Sequence, residues 1–286
     1  MHPREVGGYR LERPLGKGGM GAVFAAVDRL GRRAAIKVLH DDPDEALERR
    51  FAAEAQAAAR LQHPGIVRVL GHGRDGARPF IVMELVEGES LQARIERLGR
   101  LPGREAAAVA RALALALGHA HGQGVLHRDV KPHNVLLGPA GPVLTDFGLA
   151  RHAGREALTR TGEQGGTPAF MPPEQVDDMK RVDERADVYA LGATLFAMIA
   201  GRPPFEGATI LQVLKDVLER APPPLRALAP DVDPGLEAIC ARCLDKDPAA
   251  RYPSMAALAG DLARWLDGGA IATPRLGLVR RAGGRR

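Results

Sequence analysis

The sequence predicts an α+β fold of two lobes, a small strand-rich lobe followed by a larger, mainly helical one. Three observations predict it. Short segments of alternating or β-branched character, punctuated by glycine, crowd the first third of the 286 residues. A single Ala-rich helical run interrupts them. After Gly88 the period changes and long helical patterns take over.

The elements follow in order. Tyr9–Leu15, Gly21–Val27 and Arg32–Leu39 read as a meander of strands, with turns at Gly16–Gly19 and Gly31. Asp44–Leu61 reads as the helix, because Ala, Glu, Arg and Leu dominate it and His63-Pro64 follows. Ile66–Leu70 and Pro79–Leu85 supply two more strands. Beyond them, Arg104–His121 is apolar on most faces and is expected to be a central, buried helix. Val135–Leu137 and Val143–Thr145 flank Gly138 and Gly141 and predict a small hairpin. Further helices are expected at Asp187–Ala200, Ile210–Arg220, Gly235–Leu244 and Ser254–Leu266, with a Gly/Arg-rich tail or linker after Asp267.

Composition narrows the function classes. Hydrophobic residues are 45% and charged residues 26%, the usage of a globular domain rather than a disordered or fibrous chain. The net charge of +5 is concentrated at the end, where residues 267–286 carry five Arg and one Asp and so +4 of it. A nearly neutral body without interleaved aromatics argues against a nucleic-acid partner. The apolar stretch Val188–Ala200 is shorter than the ~20 residues of a membrane span, and no signal pattern precedes Tyr9, so the expected setting is the cytoplasm. Cys240 and Cys243 form a C-x-x-C inside a helical apolar pattern with no second pair, which reads as a buried helix face rather than a redox or zinc site. His119 and His121 lie two apart on different helix faces and are not expected to share a metal.

The chemistry-bearing residues come in three groups. Gly16-Lys17-Gly18-Gly19-Met20-Gly21 lies between two strand patterns, and Lys37 stands on the next strand. Backbone N–H groups freed by glycine can approach phosphates, and an ammonium can neutralise them. A dinucleotide fold would need a helix after the glycines instead. His127-Arg128-Asp129-Val130-Lys131-Pro132-His133-Asn134 then combines a carboxylate, an ammonium and an amide in one loop after a buried helix. Asp146-Phe147-Gly148 follows the hairpin, 17 residues after Asp129 and 12 after Asn134, and adds a hard oxygen ligand of the kind Mg²⁺ prefers.

Taken together, these motifs resemble the protein kinase family in residue type, order and spacing, and specifically its bacterial, eukaryotic-like (Hanks-type) serine/threonine branch. The likeness spans Tyr9 to Leu266 and implies a kinase domain over 9–267, with an N-lobe at 9–83, a hinge at 84–87, a C-lobe at 88–267 and a basic tail at 268–286. It implies transfer of the γ-phosphoryl group of ATP, with Mg²⁺ or in its place Mn²⁺, to Ser or Thr of a protein substrate. Asp129 would orient the hydroxyl and accept its proton, and Lys131 would offset charge on the transferred group. Asn134 and Asp146 would hold the metal, Lys37 would bind the α- and β-phosphates, and Glu54 would pair with Lys37. Leu15, Val23, Ala35 and Leu136 would sandwich the adenine, Met83 would be the gatekeeper, and Glu84 and Val86 would offer backbone groups.

The same likeness reads substrate class and regulation. Lys131 and Thr167 resemble the serine/threonine branch, with Thr167 positioning substrate beside the catalytic Asp and Lys. Thr159 and Thr161 fall where related kinases autophosphorylate, a reaction that a homodimer would permit, and Arg128 would hold the resulting phosphate. Asp187, which opens its predicted helix, resembles the residue that caps and anchors the catalytic loop backbone, and Glu174 resembles the partner of Arg251. Pro172-Pro173-Glu174 departs from the usual Ala-Pro-Glu, which stiffens the substrate-docking stretch. The alternative is a pseudokinase or nucleotide-binding scaffold, whose usual sign is loss of the Lys or of either Asp. None is lost.

Overall fold

The computed structural model describes residues 5–18, 21–39, 45–147, 168–177 and 182–272. Its first sheet has six antiparallel strands in the order β1-β2-β3-β4-β6-β5: β1 (Glu5–Val6), β2 (Tyr9–Gly18), β3 (Gly21–Asp28), β4 (Arg33–Leu39), β5 (Val69–Asp75) and β6 (Arg78–Met83). The helix α1 (Glu45–Ala59) lies between β4 and β5 in sequence and packs on β5 and β6.

The first strand lies outside the sequence expectation. Val6 pairs with Tyr9 across Gly7 and Gly8, whose φ of 59° and 82° are the two positive values of a type I′ hairpin turn. A Cβ on Gly7 would come within 2.1 Å of the Phe80 ring, so the turn lies flat on the sheet only with glycine there. The expected strand Ile66–Leu70 is displaced to Val69–Asp75. Residues 65–67 bond elsewhere: Val67 N–H donates to Leu144 C=O and Leu144 N–H to Gly65 C=O, so this stretch pairs with a distant strand rather than with the sheet.

Strand alternation divides the small lobe's apolar residues between two faces. Phe24, Ile36, Val38 and Val82 form one cluster, while Ala35, Leu39, Phe51, Ala55, Ile81 and Met83 form another under α1. Lys37 falls between Ala35 and Leu39 in the period of two, and so it points into the second, α1-facing layer.

The helical lobe begins with β7 (Glu89–Ser90) and α2 (Leu91–Leu98), neither expected from sequence. Ser90 caps α2 by accepting from Ala93 N–H at 3.1 Å. Next come α3 (Gly103–His121), β8 (Val135–Gly138) and β9 (Gly141–Leu144), then α4 (Pro173–Asp177), α5 (Glu184–Ala200), α6 (Ile210–Glu219), α7 (Leu225–Leu228), α8 (Pro234–Cys243) and α9 (Met255–Leu266). The second sheet has the order β7-β8-β9.

Both α3 and α5 are core helices, as expected of α3, and the more deeply buried of the two is α5. Fourteen of its residues are buried, on every face, whereas α3 buries nine of 19 and exposes Leu115. Against α5 packs α8, with Cys240 and Cys243 both buried. Burial pushes both thiols up, that of Cys243 to about 12, so they are the helix face the sequence suggested. No described helix is long and apolar enough to cross a membrane. The chain remains docked past α9: Ile271 packs on the core and Ala272 N–H donates to Asp261 at 2.8 Å. Residues 273–286 lie outside the described residues.

Candidate active site

The segment after α3 owes its course to one buried carboxylate. Asp187, in the first turn of α5, is fully buried and accepts the backbone N–H of His127 at 2.9 Å and of Arg128 at 2.7 Å. Asp187 thus anchors the loop backbone, as the resemblance implied, although it does not open its helix. The helix starts one turn earlier, at Glu184, with Asp183 as its cap. The result is a loop held from below, with Arg128 in left-handed backbone at φ 65°.

On that loop the carboxylate, ammonium and amide converge. Asp129 Oδ2 takes Lys131 Nζ at 2.8 Å and Asn134 Nδ2 at 2.9 Å, and the Asp129 carbonyl takes the same amide at 2.8 Å. Asn134 therefore turns its Oδ1 away from Asp129. Asp129 is about one-third exposed and Lys131 is mostly buried, so the acid faces the opening and the cation supports it from the side. His127 is a scaffold residue: Nε2 donates to Thr145 C=O at 2.9 Å, Nδ1 faces Asp129 N–H, and the ring packs on Phe147 at 4.5 Å. Burial and the Lys131 charge lower the pKa of His133, which keeps that ring neutral at pH 7.

The hairpin β8–β9 delivers the second carboxylate. Thr145 N–H and Oγ1 both donate to Asn134 C=O, at 2.9 and 3.3 Å, which ties the hairpin exit to the loop. Asp146 then sits at φ 59°, again left-handed for a non-glycine residue, and contacts Lys37 Nζ. Burial pushes its carboxyl up, but the Lys37 charge and hydrogen bond outweigh that, with help from His127 and Lys131. The net direction is down, so Asp146 is ionised at neutral pH. Lys37 and Asp146 line a cleft together with Ala55, Val67, Met83 and Phe147.

Of the predicted nucleotide residues, Lys37 and Met83 line this cleft. Val23, Ala35, Met83 and Val86 belong to one apolar cluster, and Ala35 pairs with Met83 across β4 and β6. Leu136 lies opposite Val143, a member of the same cluster, and cross-strand partners share a face. Leu15 is exposed near the end of β2. Gly16, Lys17 and Gly18 pair with Val23, Ala22 and Gly21, and a Cβ on Gly21 would stand 2.0 Å from Val38 C=O. Glu84 N–H already donates to Arg68 C=O, which leaves the Glu84 carbonyl for a ligand. Gly19, Met20, Gly148, Thr159, Thr161 and Thr167 lie outside the described residues, as does the Glu54 side chain, although Glu54 is within α1.

Two residues emerge that sequence reasoning passed over. His121 donates through Nε2 to Asp187 at 2.7 Å, and Gln175 donates to Arg128 C=O at 3.0 Å. Both contacts join residues far apart in sequence, and no local spacing signals either. Glu174 meets Arg251 through two hydrogen bonds, of 2.7 and 2.8 Å, as the sequence suggested.

Donor chemistry suits a hard divalent ion: the Asp146 carboxylate and the Asn134 amide oxygen are both oxygen ligands. Among the described residues no three His, Cys, Asp or Glu side chains form a protein-only metal cage. Such a site fits Mg²⁺, which takes its remaining ligands from water and phosphate.

Comparison with known sequences agrees with this arrangement. The family model described as protein kinase domain matches residues 9–262. Serine/threonine-protein kinase PknA of Mycobacterium tuberculosis is 41% identical over 257 residues, covering 87% of this chain and 59% of the relative. PknL of the same species is 37% identical over 258 residues, covering 89% and 64%. A probable serine/threonine-protein kinase of Streptomyces coelicolor is 36% identical over 293 residues, covering 98% and 43%. The chain thus spans between 43% and 64% of the length of these relatives. With a strand-rich lobe, a helical lobe and a matched sequence from Tyr9 through Leu262, the chain belongs to the bacterial branch of the protein kinase domain family.

Proposed function

We propose that this chain is a serine/threonine protein kinase that transfers the γ-phosphoryl group of ATP, as its Mg²⁺ or Mn²⁺ complex, to hydroxyls of protein substrates. The observation that carries the proposal is the Asp129 carboxylate held by both Lys131 and Asn134, with Lys37 and Asp146 in contact along the cleft. The domain division 9–83, 84–87 and 88–267 is part of the same reading.

Each residue has a separate task. Asp129, oriented by Asn134, points a substrate hydroxyl at the phosphorus and accepts its proton as the bond forms. Lys131 offsets negative charge on the group in transfer. Lys37 holds the α- and β-phosphates, with Glu54 as its partner when the site is assembled. Asn134 Oδ1 and Asp146 hold the divalent ion. When bound, that ion neutralises charge on the phosphoryl oxygens. The glycine run Gly16–Gly21, including Lys17 and Met20, covers the phosphates with backbone N–H groups. Leu15, Val23, Ala35 and Leu136 enclose the base, and Met83 closes the cleft behind it. The Glu84 carbonyl and the Val86 backbone bond the base edge, and Thr167 aligns the acceptor.

Lys131 and Thr167 favour Ser/Thr over Tyr acceptors. Thr159 and Thr161 are the proposed autophosphorylation sites, reached within a transient homodimer, and the double Thr159→Ala/Thr161→Ala variant should be strongly slowed.

The test is phosphotransfer from Mg-ATP to a generic basic protein, with mass spectrometry of the chain itself. The wild type should label Ser/Thr, on the substrate and at Thr159 or Thr161, and Asp129→Asn should be silent. Unchanged turnover in Asp129→Asn would falsify the assigned mechanism.

A further inference from the structure

Arg128 precedes the catalytic-loop carboxylate and adopts a backbone conformation disfavoured for any residue with a Cβ, at φ 65°. Both of its backbone polar groups are held by buried side chains, and these come from different elements. Its N–H donates to Asp187 Oδ1 at 2.7 Å, and its C=O accepts from Gln175 Nε2 at 3.0 Å. The two peptide groups that flank Arg128, the second of them leading into Asp129, are therefore each held by a side chain from another element.

Gln175 is itself rigidly carried. It is 5% exposed, its N–H bonds Pro172 C=O at 3.0 Å, and its neighbour Glu174 is locked to the buried Arg251. Among the described residues no donor reaches its Oε1. Packing does not account for a glutamine here. Methionine would fill similar space without leaving an amide oxygen unpaired in the interior. What the glutamine adds is the one hydrogen bond to Arg128.

We propose that Gln175 is a positioning residue for phosphoryl transfer: by fixing the Arg128 carbonyl it sets the direction of Asp129, and it couples the segment 168–177 to the catalytic loop. The proposal rests on the kinase reading above. Pro172 and Pro173, both buried, stiffen the base from which Gln175 reaches. A displacement of this segment is thereby transmitted to Asp129 through the Gln175 side chain, without passing through the nucleotide cleft.

The test compares Gln175→Met and Gln175→Leu with the wild type. The two fill the space differently, so a packing effect separates them, whereas loss of the amide is common to both. Both should lower kcat about tenfold, the scale of one lost hydrogen bond in a preorganised loop, and leave KM for ATP within about twofold. Hydrogen exchange at Asp129 and Val130 should quicken in both, with Pro234–Cys243 unchanged. Wild-type kcat and exchange in Gln175→Met overturn the proposal. So does a fall in kcat that tracks melting temperature and is matched by faster exchange in Pro234–Cys243, because that marks a merely structural residue. A wild type that transfers no phosphate refutes the kinase reading alone, and the exchange comparison still decides whether Gln175 holds the loop.

Discussion

His121 and Asp187 meet at 2.7 Å, Nε2 to Oδ2, across 66 residues of sequence, and their contact completes a set of three donors on one fully buried carboxylate. Burial pushes the Asp187 carboxyl up, but the His121 hydrogen bond and charge, with the His127 backbone N–H, outweigh it and hold the group low. An amide in its place keeps one acceptor and turns an NH₂ toward N–H groups. Asp187→Asn should therefore cost about 2–4 kcal/mol at neutral pH. The sign follows from linkage. A depressed carboxyl stabilises the fold above its ordinary value of 3.8 and loses that contribution as pH falls through the lower folded value. Urea titrations of both proteins should show a full gap at pH 7 that narrows in acid. A gap independent of pH would show that Asp187 acts by shape rather than charge.

Lys37 and Asp146 form the second prediction, because their contact joins the two lobes at the cleft. Asp146→Asn keeps the size of the side chain but removes the charge that opposes Lys37 and would hold a metal. Loss of a hard ligand at a phosphoryl-transfer site removes several kcal/mol of transition-state stabilisation, so phosphotransfer should fall by at least about 100-fold. Melting temperature should move little beside that loss. Activity retained within about threefold would place the metal elsewhere.

Much of this site is legible in the sequence because its chemistry is written in short contiguous runs. Asp129, Lys131 and Asn134 sit within six residues on one loop, and the structure brings all three together. Lys37 is readable from strand alternation, which fixes its face once Ala35 and Leu39 are apolar. The unread parts depend on tertiary partners. Nothing local to His121 announces Asp187, nor does anything near Gln175 announce the Arg128 carbonyl. The strand expected at Ile66–Leu70 moved because residues 65–67 found backbone partners around Leu144 instead. Val69–Asp75, rich in glycine and charge, is an edge strand that needs no apolar alternation on its outer face. The short α2 was missed although Ser90 caps it and Leu91, Ile95 and Leu98 mark one face.

Arg251 is fully buried and donates to Glu174 and to the carbonyls of Arg185, Asp245 and Lys246. Removing only the guanidinium strands the Glu174 carboxylate and three carbonyls. Arg251→Met should cost about 3–5 kcal/mol, whereas Arg251→Met with Glu174→Leu should recover part of that, since no buried charge is then left unpaired. A double-mutant cycle by urea unfolding measures the coupling. Strict additivity would mean that the pair is held by its surroundings rather than by mutual attraction.

Gly192 on α5 faces Cys243 on α8 so closely that a Cβ at Gly192 would lie 2.3 Å from the Cys243 Cβ, well inside contact distance. The atom met is a Cβ on a helix backbone, not the end of a flexible chain, so no rotamer change relieves it. The Cys240 thiol also approaches the Gly192 carbonyl at 3.5 Å, which marks the same close helix crossing. Alanine is the better helix former by up to about 1 kcal/mol in isolation. Overpacking at a tight crossing costs about 1–3 kcal/mol, and here it should win. Gly192→Ala should therefore lower stability in urea despite its higher propensity, and Cys243→Gly in the same chain should relieve part of the strain, seen as a coupling of opposite sign to the single effects. If Gly192→Ala were stabilising, the α5–α8 spacing described above would have to be wrong, and with it the assignment of both cysteines to a closely packed face.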